Sequence, residues 1–258
     1  MRLFRAKEKK IVDTGERKRI KLLDTIRGLA ILYMVYYHGL YDLVHMFGCE
    51  WAREPFLRQD SIDIYFTGAF IFLGGVTVRF SRNPAIRGAR LFFVAAGFTL
   101  VTALVFPGAA VYFGILHLFS TGMLFYAVAR NVIERIPIWA GAPLCALLFA
   151  LTNHVQHGWI GIDGLFRIEL PAALMMNNQL SGFGFINGGF MSVDYEPVFP
   201  WMFLFLLGIF LGRLLDRPLP KLFYRDLCPP ITWIGKNSLI IYILHQPIMA
   251  AILWFIFK

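Results

Sequence analysis

The 258-residue chain is 58% hydrophobic and 16% charged, with a mean hydropathy of +0.61. Soluble domains carry about 25% charge, so this composition excludes an ordinary soluble globule and makes lipid the expected solvent for the apolar runs. The formal charge of +9 fits the same picture, because basic residues gather in the cytoplasmic loops of membrane proteins; no basic stretch interleaves with aromatic residues in a binding module, so no nucleic-acid partner is expected.

Residues Met1 to Lys21 read as a basic cytoplasmic arm. Residues 22–258 then read as a single transmembrane domain, with apolar runs over 22–44, 62–79, 91–106, 111–129, 138–152, 198–215 and 233–257. Each run approaches the roughly 20 residues that a helix needs to cross about 30 Å of hydrocarbon. The first is long, uncut and without a small-residue cleavage site, so it is expected to be a span and not a removable leader. The predicted fold class is an all-α integral membrane protein, a bundle of about seven transmembrane helices with its N-terminus cytoplasmic; six is the alternative count. Pro107-Gly108 reads as a tight turn between the third and fourth runs.

Charge sets the orientation. With the N-terminus inside, inner segments hold Arg17, Lys18, Arg19 and Lys21, then Arg79, Arg82, Arg87 and Arg90, then Arg130, Arg135, Arg213, Arg217, Lys221, Arg225 and Lys236. Outer segments hold Arg53, Arg58, Arg167 and Lys258. That bias predicts the orientation. The segment 153–197 reads as a long outer loop rich in Gly, Asn and aromatics, and loops of this length are often functional. Cys49, Cys145 and Cys228 lack CxxC spacing, so neither a disulfide framework nor a zinc site is expected. Nothing resembles a phosphate-binding glycine loop or a nucleophile elbow, and the histidine spacings give no metal motif.

Ionisable groups inside a bilayer helix are costly and usually face a cavity where they act. In the first run, Asp24 and Arg27 share a face three residues apart, either as a structural ion pair or as an anchor for an anionic donor. His38 lies about 16 Å further along, at about 1.5 Å per residue, and Asp42 follows one turn on. A carboxylate there could orient the imidazole as a general base. His117, His245 and Asp63 fall at a similar depth, and Asp194, Tyr195, Glu196 and Trp201 flank the outer start of the sixth run. If these groups converge they form a polar pocket within the bundle. His154 and His157 read as solvated. Gly74-Gly75 and Gly208/Gly212 read as close helix contacts.

The blocks RIKLLDTIRGLAILYMVYYHGLYDL, FGILHLFSTGML, DYEPVFPWMFLFLLGIFLGR and GKNSLIIYILHQPIM resemble, in order, the heparan-alpha-glucosaminide N-acetyltransferase catalytic-domain family, in its small bacterial branch. The opening LDxxRGxA also resembles membrane acyltransferases that O-acetylate surface polysaccharides. The resemblance implies transfer of an acyl group, typically acetyl from acetyl-CoA, to a sugar or glycan hydroxyl or amine across a bacterial inner membrane. His38 stands where the lysosomal branch looks to have Asn; the histidine proposed as catalytic in that branch lies in the following outer loop, to which His45 is a loose positional match.

The expected reading is thus a membrane acyltransferase. His38 would be the base, supported by Asp42, with His117 and His245 assisting. Asp24, Arg27, Asn237 and Ser238 would bind the donor, and Asp63, Asp194, Tyr195 and Trp201 the acceptor. The bilayer, acyl-CoA and the glycan are the expected partners, a homodimer being compatible with them. The alternative is a proton-coupled transporter that uses the same His and Asp residues as a relay, and a non-catalytic scaffold is the third.

Overall fold

The computed structural model describes residues 19–105, 108, 110–176 and 178–257; the arm up to Lys18, Pro107, Asn177 and Lys258 lie outside them. The helices are α1 (Lys21–His45), α2 (Glu50–Val78), α3 (Pro84–Val105), α4 (Ile115–Ile133), α5 (Ile138–Thr152), α6 (Ala172–Met175), α7 (Val198–Gly212), α8 (Pro229–Lys236) and α9 (Ser238–Phe257). Pro84 and Pro229 open their helices, where the missing amide costs nothing and the ring pre-sets the backbone.

Four segments are long and apolar enough to cross a membrane: Pro84–Val105, Ile138–His157, Val198–Asp216 and Ser238–Phe257. The count rises to five if α2, bent by 54° between Glu50–Gln59 and Ile62–Val78, is taken as one span. The long helices α1 and α4 are not among these segments; α1 buries Asp24 and Asp42, and α4 buries Ser120 and Tyr126.

Residue pairings give the directions. Arg27 meets Thr77 while Tyr37 meets Phe56, so α1 and α2 are antiparallel. Gly75 lies against Phe205 and Gly212 against Val76, so α2 and α7 are parallel. Gly141 meets Phe210 while Phe149 meets Trp201, so α5 opposes α7. Thr99 meets His117 while Gly88 meets Leu124, so α3 opposes α4. His38 meets His245 and Phe47 meets Phe257, so α1 and α9 run together.

The core is centred on α7, whose Phe205 and Ile209 are fully buried with Ile71, Leu118 and Tyr126. Small residues let α2 and α7 touch backbone to backbone: a Cβ on Gly75 would lie 1.9 Å from the Phe205 carbonyl oxygen, as expected where lipid supplies no hydrophobic drive between helices. At the end of the bundle where α1 begins, an ionic clamp ties three helices. Arg79 reaches Glu134 at 2.5 Å and Asp216 at 2.6 Å, and Arg213 donates to the Ile136 carbonyl at 2.5 Å. We call this the basic end.

Two features depart from the sequence reading. The segment 153–197 contains a hairpin, β1 (Trp159–Ile162) against β2 (Phe166–Glu169). His154 is stacked on Trp159 at 3.9 Å and bonded to Asp163 at 2.9 Å, so it is not simply solvated. The last apolar run is broken at Asn237, so α8 lies antiparallel along the start of α1 and only α9 continues. The break follows from contact. A Cβ on Gly235 would lie 1.8 Å from the Asp24 carbonyl oxygen, and one on Gly28 2.1 Å from that of Ile231.

Gly235→Ala should therefore destabilise the fold by about 1–3 kcal/mol, the usual cost of overpacking. Gly97→Ala, in α3 with nothing within 4 Å, should leave stability unchanged or raise it. Thermal unfolding of the purified variants in detergent checks both.

Candidate active site

The polar residues of four distant chain segments meet in the half of the bundle away from the basic end. Asp194 is the junction. Its Oδ2 accepts the Ile115 amide of α4 at 3.2 Å and also the hydroxyl of Tyr242 from α9. Gly114, which precedes α4, has no side chain to cap that helix, and a Cβ there would lie 2.2 Å from the Asp194 carboxylate. A residue eighty positions downstream therefore supplies the cap. The backbone around it is strapped down as well: Glu196 N–H donates to Phe113 O at 2.8 Å and Tyr112 N–H to Ser192 Oγ at 3.1 Å.

From this junction the cluster extends along α9 to α1. The His245 Nδ1 lies 2.6 Å from the Tyr242 carbonyl oxygen, and the His245 and His38 rings are 5.2 Å apart. One residue on, the Gln246 amide donates to both oxygens of Asp42, at 2.8 and 2.9 Å. His117, stacked on Phe113, has its Nε2 3.4 Å from Thr99 Oγ1. Two ring nitrogens, His117 Nδ1 and His245 Nε2, are buried with no hydrogen-bond partner among the described residues.

The structure thus brings His38, His117, His245, Asp42 and Asp194 into one region. The expected His38–Asp42 dyad is not formed among the described residues; the Asp42 carboxylate accepts from the Gln246 amide instead. Trp201 is buried in the apolar core against Phe149. The Tyr195 hydroxyl donates to the Ser181 carbonyl at 2.6 Å, a contact that holds the loop. Tyr242, Gln246 and Thr99 were missed by sequence reasoning. Tyr242, His245 and Gln246 lie three and four apart on an otherwise apolar helix, a polar stripe that could have revealed them.

Electrostatics single out the loop carboxylates. Burial pushes Asp194 above the usual carboxylate range, opposed by the bonds from Tyr242 and Ile115 and by the nearby His245 and His117. Burial pushes Glu196 up well beyond its ordinary value, and Asp194 and Asp63 add to the shift. Glu196 Oε2 is buried without a hydrogen-bond partner among the described residues.

At the basic end, Asp24 is held by Arg19 at 2.5 Å and lies 3.4 Å from Arg27, whose other terminal nitrogen donates to Thr77 at 3.1 Å. Thr25 bonds Thr232 at 2.9 Å, and Asn237 caps the α8 backbone at Trp233. The Asp24–Arg27 face is thus a junction of α1 with α2. A hollow of about 500 Å3, on a segment that packs against α1, is lined by Lys221, Leu222, Tyr224 and Arg225. Another, of about 240 Å3, lies at the hairpin; no residue of the polar cluster lines either. Among the described residues no group of three His, Cys, Asp or Glu side chains is placed to hold a metal ion.

The family described as heparan-alpha-glucosaminide N-acetyltransferase, catalytic, matches residues 19–247. No curated protein and no solved structure matches the chain.

The raised Glu196 gives a prediction with a fixed sign. Ionising a carboxyl that is pushed up in the folded state costs stability, and the cost grows as pH rises from the ordinary value of 4.5 towards the raised one. Glu196→Gln should therefore stabilise the protein at pH 8, by on the order of 1 kcal/mol. The gain should vanish as the pH falls to the ordinary glutamate range, as read by unfolding midpoints across pH.

Proposed function

The chain belongs to the heparan-alpha-glucosaminide N-acetyltransferase catalytic family, and from that premise we propose that it is a membrane acyltransferase that moves acetyl from acetyl-CoA to a sugar or glycan hydroxyl or amine. In this reading the membrane is the cytoplasmic membrane of a bacterium, and the basic end faces the cytoplasm. The seven long helices are the spans. Their alternating directions support that count: α1 and α9 run together, α2 and α7 run against them, and α4 runs with α2, since Gly74 meets Phe119 and Arg79 meets Glu134.

The observation that carries the chemistry is the meeting of His38, His117 and His245 around the Tyr242–Asp194 pair. Imidazoles beside a fixed carboxylate suit general acid–base work at neutral pH. Acyl transfer needs that: a base to take the proton of the attacking hydroxyl or amine, and an acid to return one to the leaving thiolate. The low-dielectric bundle excludes bulk water, which would otherwise compete as acceptor.

The donor fits the basic end. Its phosphates need cations, and Lys221 and Arg225 line a hollow with Tyr224 and Leu222 there. Arg27 adds positive charge at the α1–α2 junction, although its guanidinium already contacts Asp24 and Thr77. Asn237 and Ser238 sit at the α8–α9 break and are proposed to border the donor path; Asp63 and Tyr195 are proposed to face the acceptor side.

Purified protein in lipid nanodiscs, given labelled acetyl-CoA with glucosamine or glucose, should transfer label to the sugar. The His38→Gln, His117→Gln, His245→Gln triple variant should lose at least about 100-fold, the typical worth of acid–base catalysis. Substrate flux in proteoliposomes that needs no acyl-CoA, with no label transfer, would instead establish the transporter reading.

A further inference from the structure

The reading above leaves three imidazoles in the cluster, and the hydrogen bonds distinguish them. A carbonyl oxygen only accepts. His245 Nδ1 lies 2.6 Å from the Tyr242 carbonyl, so Nδ1 carries the proton. A neutral imidazole has one N–H, which leaves the lone pair on Nε2. That nitrogen is buried and has no partner among the described residues. An acceptor buried without a donor is unfavourable, and the proton of a bound acceptor group would satisfy it.

The ring is also held from both sides. Three residues before it, the Tyr242 hydroxyl is fixed on Asp194, which is itself fixed on the first amide of α4. One residue after it, Gln246 grips Asp42 of α1 through both oxygens. His117 lacks that support. Its Nδ1 is equally bare, but its other nitrogen is 3.4 Å from Thr99, longer than an ordinary hydrogen bond. Thr99 already donates its only hydroxyl proton to the Val111 carbonyl at 2.6 Å. His38 has Asp42 one turn away, but no hydrogen bond joins them among the described residues, and the Asp42 carboxylate accepts from Gln246.

We propose that His245 Nε2 is the base that takes the acceptor's proton, with Tyr242 and Asp194 as the positioning residues that fix its ring. The assignment rests on the acyl-transfer reading. As the acceptor O–H or N–H bond breaks, its proton goes to Nε2 and its electron pair forms the bond to the thioester carbonyl carbon. The carbon–sulfur bond then breaks, its electron pair leaves on sulfur, and the proton passes from Nε2 to that thiolate. The products are the acylated acceptor and free CoA thiol, and His245 returns to its starting form.

The test uses full-length protein in nanodiscs with acetyl-CoA and glucosamine or glucose. His245→Gln should lower kcat at least about 100-fold, with KM within about 3-fold and an unchanged unfolding midpoint. Of the three single variants, His245→Gln should lower kcat more than His38→Gln or His117→Gln, while His157→Gln, outside the cluster, should keep wild-type kcat. Nitrogen-15 NMR of histidine-labelled protein, with the His245→Gln difference identifying the signal, should show a protonated Nδ1 and a bare Nε2. Tyr242→Phe, which keeps the carbonyl, should shift those signals without unfolding the protein. An active His245→Gln variant, or a His245 protonated on Nε2, overturns the assignment. Absence of transfer by the wild-type protein overturns the acyl-transfer reading itself, a result distinct from either.

Discussion

The structure turns on one carboxylate. Asp194 stands in a loop between the fifth and sixth apolar runs, yet it closes the start of α4 and holds Tyr242 of α9. A carboxylate that accepts charge-assisted bonds in a water-poor place is worth more than one in solvent, and it is costly to leave unpaired. By taking both donors it fixes the distance between α4 and α9. His117 and His245 ride on those two helices. The polar cluster therefore depends on a contact between segments far apart in the chain, and the glycine at position 114 leaves room for it.

The two ends of the bundle are built by different physics. At the basic end, Arg79, Glu134, Asp216 and Arg213 form a salt-bridge network that crosses from α2 to α4 to α7. The glycines at 28 and 235 press α8 onto α1. The other end is fixed by the Asp194 junction and by main-chain bonds between 110–113 and 192–196. Between the two ends, α7 fills the centre with Phe and Ile side chains. Such an arrangement makes a stiff frame around a small polar region, which is what acid–base chemistry needs.

Much of this was legible in the sequence, because bilayer spans have a simple signature. The apolar runs anticipated the long helices within a few residues at most ends. Counting residues along the apolar runs put His38, His117 and His245 at similar positions, and the structure brings them into one region with Asp194. What was hidden is pairing across the bundle. Asp42 one turn from His38 looked like a dyad, but a helix face holds other neighbours too, and Gln246 from α9 reached the carboxylate first. Trp201 looked like a rim residue by its position, whereas the α5–α7 packing draws it into the core. The break before Ser238 was not visible in hydropathy, because it arises from backbone contact with α1.

The central claim is that a donor reaching in from the basic end meets the imidazole cluster. It is tested most directly by a structure of the protein with a non-hydrolysable acetyl-CoA analogue. The account predicts the analogue's acyl carbonyl within about 4 Å of an imidazole nitrogen of the cluster, close to the approach that near-attack geometry requires. An analogue whose acyl group stops at the basic end, with the α1–α8 contact intact between it and the histidines, would contradict it.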